Sequence, residues 1–152
     1  MIDPLITQHF RLSEFTDSDM AVRLGIDNRP PPDVLATLRN VLIPGMQAVR
    51  NILGKPVFVT SGYRSPALNA AVHGAQASQH LTGHACDFRC PEFGPVVEVC
   101  AQLVTQMQRL KFDQLIFEGS WCHISFSARP RNQVLTAHFD AGRVTYTSGL
   151  VA

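Results

Sequence analysis

Helix-like segments precede strand-like segments in this chain, and that order narrows the choice of folds. Apolar residues recur at helical spacing from Leu35 to Val49. Two pairs of strand-like runs close the sequence: 112–118 with 121–126, and 134–139 with 144–146. A short loop containing glycine separates the members of each pair, which predicts two hairpins. Helices followed by antiparallel strand pairs predict an α+β fold rather than a regular alternation of parallel strands and helices.

Local signals place further elements between these segments. A capping-box pattern predicts a helix over 16–25. Gly54 is expected to end the long apolar helix, and Pro44 and Gly45 are expected to kink or split it. The remaining predicted elements are strands at 57–60 and 84–89 and helices over 66–72 and 94–110.

The composition is that of one ordered domain spanning residues 1–152. Hydrophobic residues make up 45% of the chain and charged residues 16%, which is too apolar a mixture for a disordered protein. The formal net charge is +1 and no basic or acidic block is present, so the charge pattern indicates no nucleic-acid or membrane partner. No apolar run approaches the length of a membrane span. These features leave the oligomeric state open.

The N-terminal segment lacks the basic and apolar regions of a classical signal peptide. We therefore expect synthesis in the cytoplasm. A role outside the cell would then need another route of release, such as a phage or holin type.

The chain has four irregularly spaced cysteines, none in a C-x-x-C pair: Cys86, Cys90, Cys100 and Cys122. We interpret them as buried free thiols, with a disulfide as the alternative. This spacing is not typical of a cysteine-rich zinc site.

The segment 78–87 carries the strongest chemical signal. His80 and Asp87 lie seven residues apart, and Gly83 between them allows a sharp turn before the strand that delivers Asp87. Imidazole and carboxylate are both good zinc ligands. The alternative interpretation is that the two residues form an ordinary surface pair.

The hairpin around Gly119 and Ser120 adds a second signal. In a two-residue loop, Glu118 pairs with Trp121, and directly opposed residues share one face of a sheet. His123 lies two residues beyond Trp121 and therefore points the same way. This face offers a third zinc ligand and a carboxylate suited to a general base. Glu118 is alternatively an exposed hairpin carboxylate.

The segment 61–66 gives a third signal, because Arg64 lies between a strand and a helix start. An arginine at such a position projects over a cleft, where it binds a substrate carboxylate or stabilises an oxyanion. Pairing with a structural acid is the alternative.

Together these segments resemble the zinc D-Ala-D-Ala carboxypeptidase family, whose superfamily includes the vancomycin-resistance dipeptidases, phage L-alanyl-D-glutamate endopeptidases and Hedgehog domains. The signature S-x-H-x-x-G-x-A-x-D is matched from Ser78 to Asp87, and an acid before Trp-x-His is matched from Glu118 to His123. The resemblance runs from about His9 to Phe126. The start of the chain is similar to a compact bacterial and prophage branch of this family. The resemblance implies the Hedgehog/DD-peptidase fold, a small central antiparallel sheet with helices packed on it.

The resemblance also implies the roles of individual residues. One Zn²⁺ per chain would be bound by His80, Asp87 and His123. Glu118 would be the general base and Arg64 the electrophilic or carboxylate-binding group. Glu118 departs from the dipeptidase pattern, because it lies five positions before His123 rather than three. The candidate substrate contacts are Ser78, Tyr63, Trp121 and His84.

The function implied is hydrolysis of a D-Ala-D-Ala or related amide in peptidoglycan stem peptides, for cell-wall remodelling or phage lysis. The alternative is a zinc-binding module of the same fold with little catalysis, acting as a cell-wall binding or phage structural component. The presence of both Glu118 and Arg64 favours the enzyme.

Overall fold

A computed structural model of the chain describes residues 2–151. Its helices are α1 (Ser13–Thr16), α2 (Asp19–Leu24), α3 (Pro32–Thr37), α4 (Ile43–Leu53), α5 (Pro66–Ala71), α6 (Val96–Thr105) and α7 (Met107–Leu110). Its strands are β1 (Phe58–Ser61), β2 (Ala85–Arg89), β3 (Gln114–Phe117), β4 (Cys122–Ser125), β5 (Gln133–Asp140) and β6 (Arg143–Ser148). Among the described residues, no helix has the length and apolar character needed to cross a membrane.

The long apolar helix is continuous but not regular. Helices α3 and α4 are joined by a π-helical stretch, Leu38–Leu42, which lies directly before Pro44. Proline has no N–H to donate within a helix, and the wider π turn accommodates that loss without a break. Gly54, with φ of +66°, ends the helix as predicted. The expected irregularity at Pro44 is therefore a π-helical segment.

Side-chain caps begin two of the shorter helices, at Ser65 as the sequence predicted and at Ser18, two residues after the predicted start at residue 16. The Ser18 hydroxyl accepts from the Ala21 N–H, and the Ser65 hydroxyl accepts from the Leu68 N–H. The helix expected over 94–110 is instead divided at Gln106. There the Thr105 hydroxyl donates to the Gln102 carbonyl at 2.6 Å, and the Gln106 N–H bonds to Leu103.

The six strands form one sheet in the order β1-β2-β4-β3-β5-β6. The α+β prediction is confirmed, and both predicted hairpins are present. The sheet is not wholly antiparallel, because β5 pairs with β3 in parallel. The segment between β4 and β5 passes across the start of β3, where the Asn132 N–H bonds to Phe112 and the Gln133 N–H to Asp113. That crossing places the last hairpin on the far side of β3.

The core lies between the sheet and the helices α3, α4 and α6. Its largest fully buried side chains include Leu42, Met46, Phe88, Leu103 and Ile124. The opposite face of the central strands carries polar residues, and the candidate site lies there.

Candidate metal centre and active-site cleft

The sheet register brings two of the predicted ligands side by side. Asp87 on β2 pairs directly with His123 on β4, and His123 pairs with Ile116 on β3. Directly opposed residues share a face, so both polar side chains point to the same side of the sheet. His80 comes from a short 3₁₀ turn, Gln79–Thr82, that ends at Gly83 with φ of +77°. This left-handed residue turns the chain from the 3₁₀ segment toward β2, a conformation that glycine adopts readily.

The side chains of His80, Asp87 and His123 form a compact buried group, which we call the metal group because it is the candidate metal site. One ligand atom from each lies within 4.8 Å of the others. The Asp87 Oδ1 atom lies 3.3 Å from His80 Nε2 and 2.9 Å from His123 Nδ1. Burial raises the pKa of Asp87, but the adjacent imidazoles of His123 and His80 outweigh it and hold that pKa well below its usual value. The carboxylate is therefore ionised, as a metal ligand must be.

The backbone carbonyl of Gly62 orients the His80 ring through the ring nitrogen that faces away from Asp87. The His80 Nδ1 atom lies 2.7 Å from the Gly62 carbonyl oxygen, which only accepts, so Nδ1 carries the proton. A β-carbon on residue 62 would lie 2.7 Å from the Phe15 Cα atom, and this close approach requires glycine. Metal-binding histidines commonly donate their second ring N–H in this way.

The contacts of His80 fit a cation at this site. A neutral imidazole has one N–H, which His80 uses toward Gly62, yet its Nε2 also faces the Asp87 carboxylate. A metal ion bound by His80 and Asp87 would allow both groups to face each other with no proton between them. Two zinc ligands at about 2.1 Å in tetrahedral geometry lie about 3.4 Å apart, close to the 2.9 and 3.3 Å separations found here. Two imidazoles and one carboxylate match a catalytic zinc site with one open position.

Glu118 faces this group from the end of β3. The Glu118 N–H bonds to the Trp121 carbonyl, and the Ser120 N–H closes a tight turn on the Glu118 carbonyl. Phe117 pairs with Cys122 and Ile116 with His123, so the hairpin has the register expected from the sequence. Burial and the nearby Asp87 charge raise the pKa of Glu118, against smaller opposing effects of His123, Arg64 and Trp121. The position and the shift both suit a general base.

Arg64 reaches the back of the metal group. One terminal nitrogen lies 3.3 Å from Asp87 Oδ2, its Nε donates to the Ser61 hydroxyl, and the other terminal nitrogen donates to Asn69 Oδ1. The structural acid that the sequence left as an alternative is therefore the candidate ligand Asp87. Because Asp87 is held by Arg64 at one oxygen, its other oxygen is free to face the two imidazoles.

These groups open into a cleft of about 520 Å³. Of the four predicted substrate contacts, Ser78 and Trp121 line it. Tyr63 lies instead in the core, 5% exposed, with its N–H bonded to the Phe15 carbonyl. His84 bonds through Nδ1 to the Thr82 hydroxyl and is not among the lining residues. We therefore retain Ser78 and Trp121 as candidate substrate contacts.

The geometry agrees with comparisons to known proteins. A sequence profile of the family described as Peptidase M15 matches residues 8–125, more than half of the chain. The chain belongs to the Peptidase M15 family. A zinc D-Ala-D-Ala carboxypeptidase from Streptomyces albus G is 46% identical over 43 residues, which is 28% of this chain and 17% of that protein. The chain therefore matches less than a fifth of that relative's length.

The cysteines are not among the residues of the candidate metal centre. All four are free and buried. Cys86 and Cys122 adjoin the candidate ligands in sequence but point to the core face, since neighbouring strand residues alternate. Burial raises the pKa of both thiols well above the usual value, so they are held as neutral thiols.

Two supports of the site were not found from the sequence. Asp113, 3% exposed, accepts from the Gln79 side chain and from the Arg131 guanidinium, and so ties the His80 turn to the segment before β5. Phe139 and Tyr146, from the last hairpin, line the cleft. An Asp and an Arg eighteen residues apart carry no local signal, and the hairpin lies beyond the matched 8–125.

Proposed function

We propose that this chain is a zinc-dependent peptidase that hydrolyses a D-Ala-D-Ala or related amide bond in peptidoglycan stem peptides. The observation that carries the proposal is the buried group of His80, Asp87 and His123, with Glu118 lining the same cleft. Membership of the M15 family and the partial similarity to a zinc D-Ala-D-Ala carboxypeptidase support this chemistry.

When bound, a zinc ion supplies Lewis acidity, which polarises the substrate carbonyl and makes water nucleophilic near neutral pH. Glu118 accepts a proton from the attacking water as the water oxygen bonds to the carbonyl carbon. The carbon–nitrogen bond then breaks, and the same carboxyl group returns the proton to the leaving amine. The raised pKa of Glu118 favours the first of these transfers, because the carboxylate of a weaker acid accepts a proton more readily.

Arg64 has donors to spare for the substrate. A guanidinium has five N–H groups, and three of its nitrogens are engaged by Ser61, Asn69 and Asp87. The two remaining N–H groups suit the negative oxygen of the attacked carbonyl or a terminal carboxylate of the substrate. The first role is compatible with cleavage of internal bonds and the second with a carboxypeptidase.

Digestion of purified peptidoglycan, followed by mass analysis of the fragments, tests the proposal. We expect hydrolysis of one type of amide bond, its loss with a chelator and its return with added zinc. Zinc-loaded protein that leaves every stem peptide intact would instead favour a zinc-binding module of the same fold. Release of single D-alanine would identify a carboxypeptidase, and separation of larger peptides would identify an endopeptidase of cell-wall remodelling or phage lysis.

A further inference from the structure

Three aromatic side chains, Trp121, Phe139 and Tyr146, extend the cleft away from the metal group, and we call them the aromatic wall. The sheet register accounts for their common side. Ile116 in the ligand row pairs with Leu135 on β5, and residues two and four positions beyond Leu135 share its face. Those residues, Ala137 and Phe139, pair with Tyr146 and Val144 on β6. The face that holds the metal group therefore continues onto the last hairpin.

The wall is open to solvent although it is strongly apolar. Phe139 is 57% exposed and Tyr146 is 53% exposed. The rings of Phe139 and Trp121 lie 6.4 Å apart at 53°, within the range of aromatic contact. Glu118 contributes to a raised pKa of Tyr146, after the larger effect of burial, so the phenol lies on the side of the candidate base. Exposed rings that continue a cleft indicate a surface for a ligand.

The size of the wall argues for a ligand rather than a second protein. Each ring has roughly 150–250 Å² of surface to bury, so two half-exposed rings offer about 200 Å². A stable protein interface buries about 800 Å² on each partner. The wall suits one short chain segment.

The position of the wall sets the length of that segment. Phe139 lies two strands from His123 and four residues beyond the ligand row. At about 4.8 Å per strand and 3.3 Å per residue, its backbone is about 10 Å across and 13 Å along the sheet from that row. A dipeptide extends about 7 Å and stays over the metal group, whereas a peptide of about four or five residues reaches the wall.

Resting on the proposed function, we propose that the aromatic wall binds the part of an extended peptide substrate that lies away from the scissile bond. The protein then acts on peptides longer than a dipeptide. The occupant is a further stretch of the substrate's own peptide chain, which packs against the apolar faces of the three rings. Phe139 and Tyr146 are specificity residues in this assignment and take no part in the chemistry.

Cleavage of a length series tests the assignment. Peptides of two to five residues with the same scissile bond are given to the zinc-loaded protein. We expect kcat/KM to rise at least about tenfold with length, and the F139A/Y146A double variant to lose most of that rise. Thr145→Ala is the matched control, since Thr145 is exposed on the opposite face of the same strand and pairs with His138. Equal length dependence in the wild type and the double variant would overturn the assignment.

A binding measurement decides the question independently of turnover. Trp121 is the only tryptophan in the chain, so its fluorescence reports on peptides that reach the wall. In a Glu118→Gln background we expect affinity to rise with peptide length, to fall at least about tenfold in F139A/Y146A and to be unchanged in Thr145→Ala. Affinity independent of length, or unaffected by F139A/Y146A in a protein with an unchanged melting temperature, refutes the wall. If peptides bind to Glu118→Gln in this pattern but zinc-loaded wild type never cleaves them, only the proposed function is refuted.

Discussion

Substitution of Gly62 by alanine tests how the metal group is held together. The new β-carbon would lie 2.7 Å from the Phe15 Cα atom, whereas two carbons pack best at about 3.5–4.0 Å. The two backbones must therefore separate by about 0.8 Å. Phe15 is fully buried against Phe10, so we expect the segment that contains residue 62 to move.

That movement reaches His80 directly. The bond from His80 Nδ1 to the Gly62 carbonyl is 2.7 Å long, and a shift of about 0.8 Å takes it to about 3.5 Å, beyond the normal hydrogen-bond range. Loss of such an outer partner typically weakens metal binding by about 10–100-fold. We expect a zinc affinity lower by that factor in a chelator competition assay, together with a lower melting temperature.

Gly25→Ala is the control for a general loss of stability. Gly25 has φ of +66° and nothing within 4 Å of a new β-carbon, so alanine there strains the backbone without touching the site. This variant should melt earlier yet bind zinc as the wild type does. If Gly62→Ala also binds zinc with wild-type affinity, the reasoning is wrong. Either the Phe15 segment moves in place of the residue 62 segment, or the Gly62 carbonyl does not hold His80 in place.

Three further predictions concern charged groups around the cleft. Glu118→Gln should retain zinc by elemental analysis while turnover falls about 10²–10⁴-fold, and full activity would assign the base to another group. Arg64→Lys keeps the positive charge but loses the planar guanidinium that donates two parallel hydrogen bonds. If Arg64 stabilises the oxyanion, kcat should fall. If it binds a terminal carboxylate, KM should rise for peptides with a free C-terminus but not for peptides with an amidated one. Hydrogen bonds from Arg131 lower the pKa of Asp113 from 3.8 to about 2, so this pair stabilises the folded state above pH 4 and is lost as pH falls toward 2. The melting temperature of zinc-free wild type should therefore exceed that of Asp113→Asn at pH 7, and a difference that persists at pH 2 would contradict this assignment.

The local elements near the site were predictable because their signals are short-range. Gly119 fixes a two-residue turn, and period-two alternation then puts Glu118, Trp121 and His123 on one face. The same alternation separates Cys86 from Asp87. His84 precedes β2, and the contact of its Nδ1 with the Thr82 hydroxyl was not predicted from the sequence.

Long-range pairings were not predictable in the same way. The parallel pairing of β3 with β5 depends on the path of the segment between β4 and β5, and hydrophobic periodicity in the sequence does not report that path. Without that pairing, Phe139 and Tyr146 belong only to an isolated terminal hairpin. The contact of Asp113 with Gln79 and Arg131 likewise depends on that path, since all three lie on different segments.

The two sequence interpretations of Arg64 were stated as alternatives, but the structure makes them compatible. Arg64 pairs with an acid, as a structural arginine does, yet that acid is the candidate ligand Asp87. Because Arg64 engages Oδ2 and the imidazoles face Oδ1, one carboxylate links Arg64 to the two histidines. We therefore expect a change at Arg64 to alter the orientation of Asp87 as well as the proposed contact with substrate. Zinc affinity measured beside kcat and KM separates the two effects, since only the first changes metal binding in the absence of substrate.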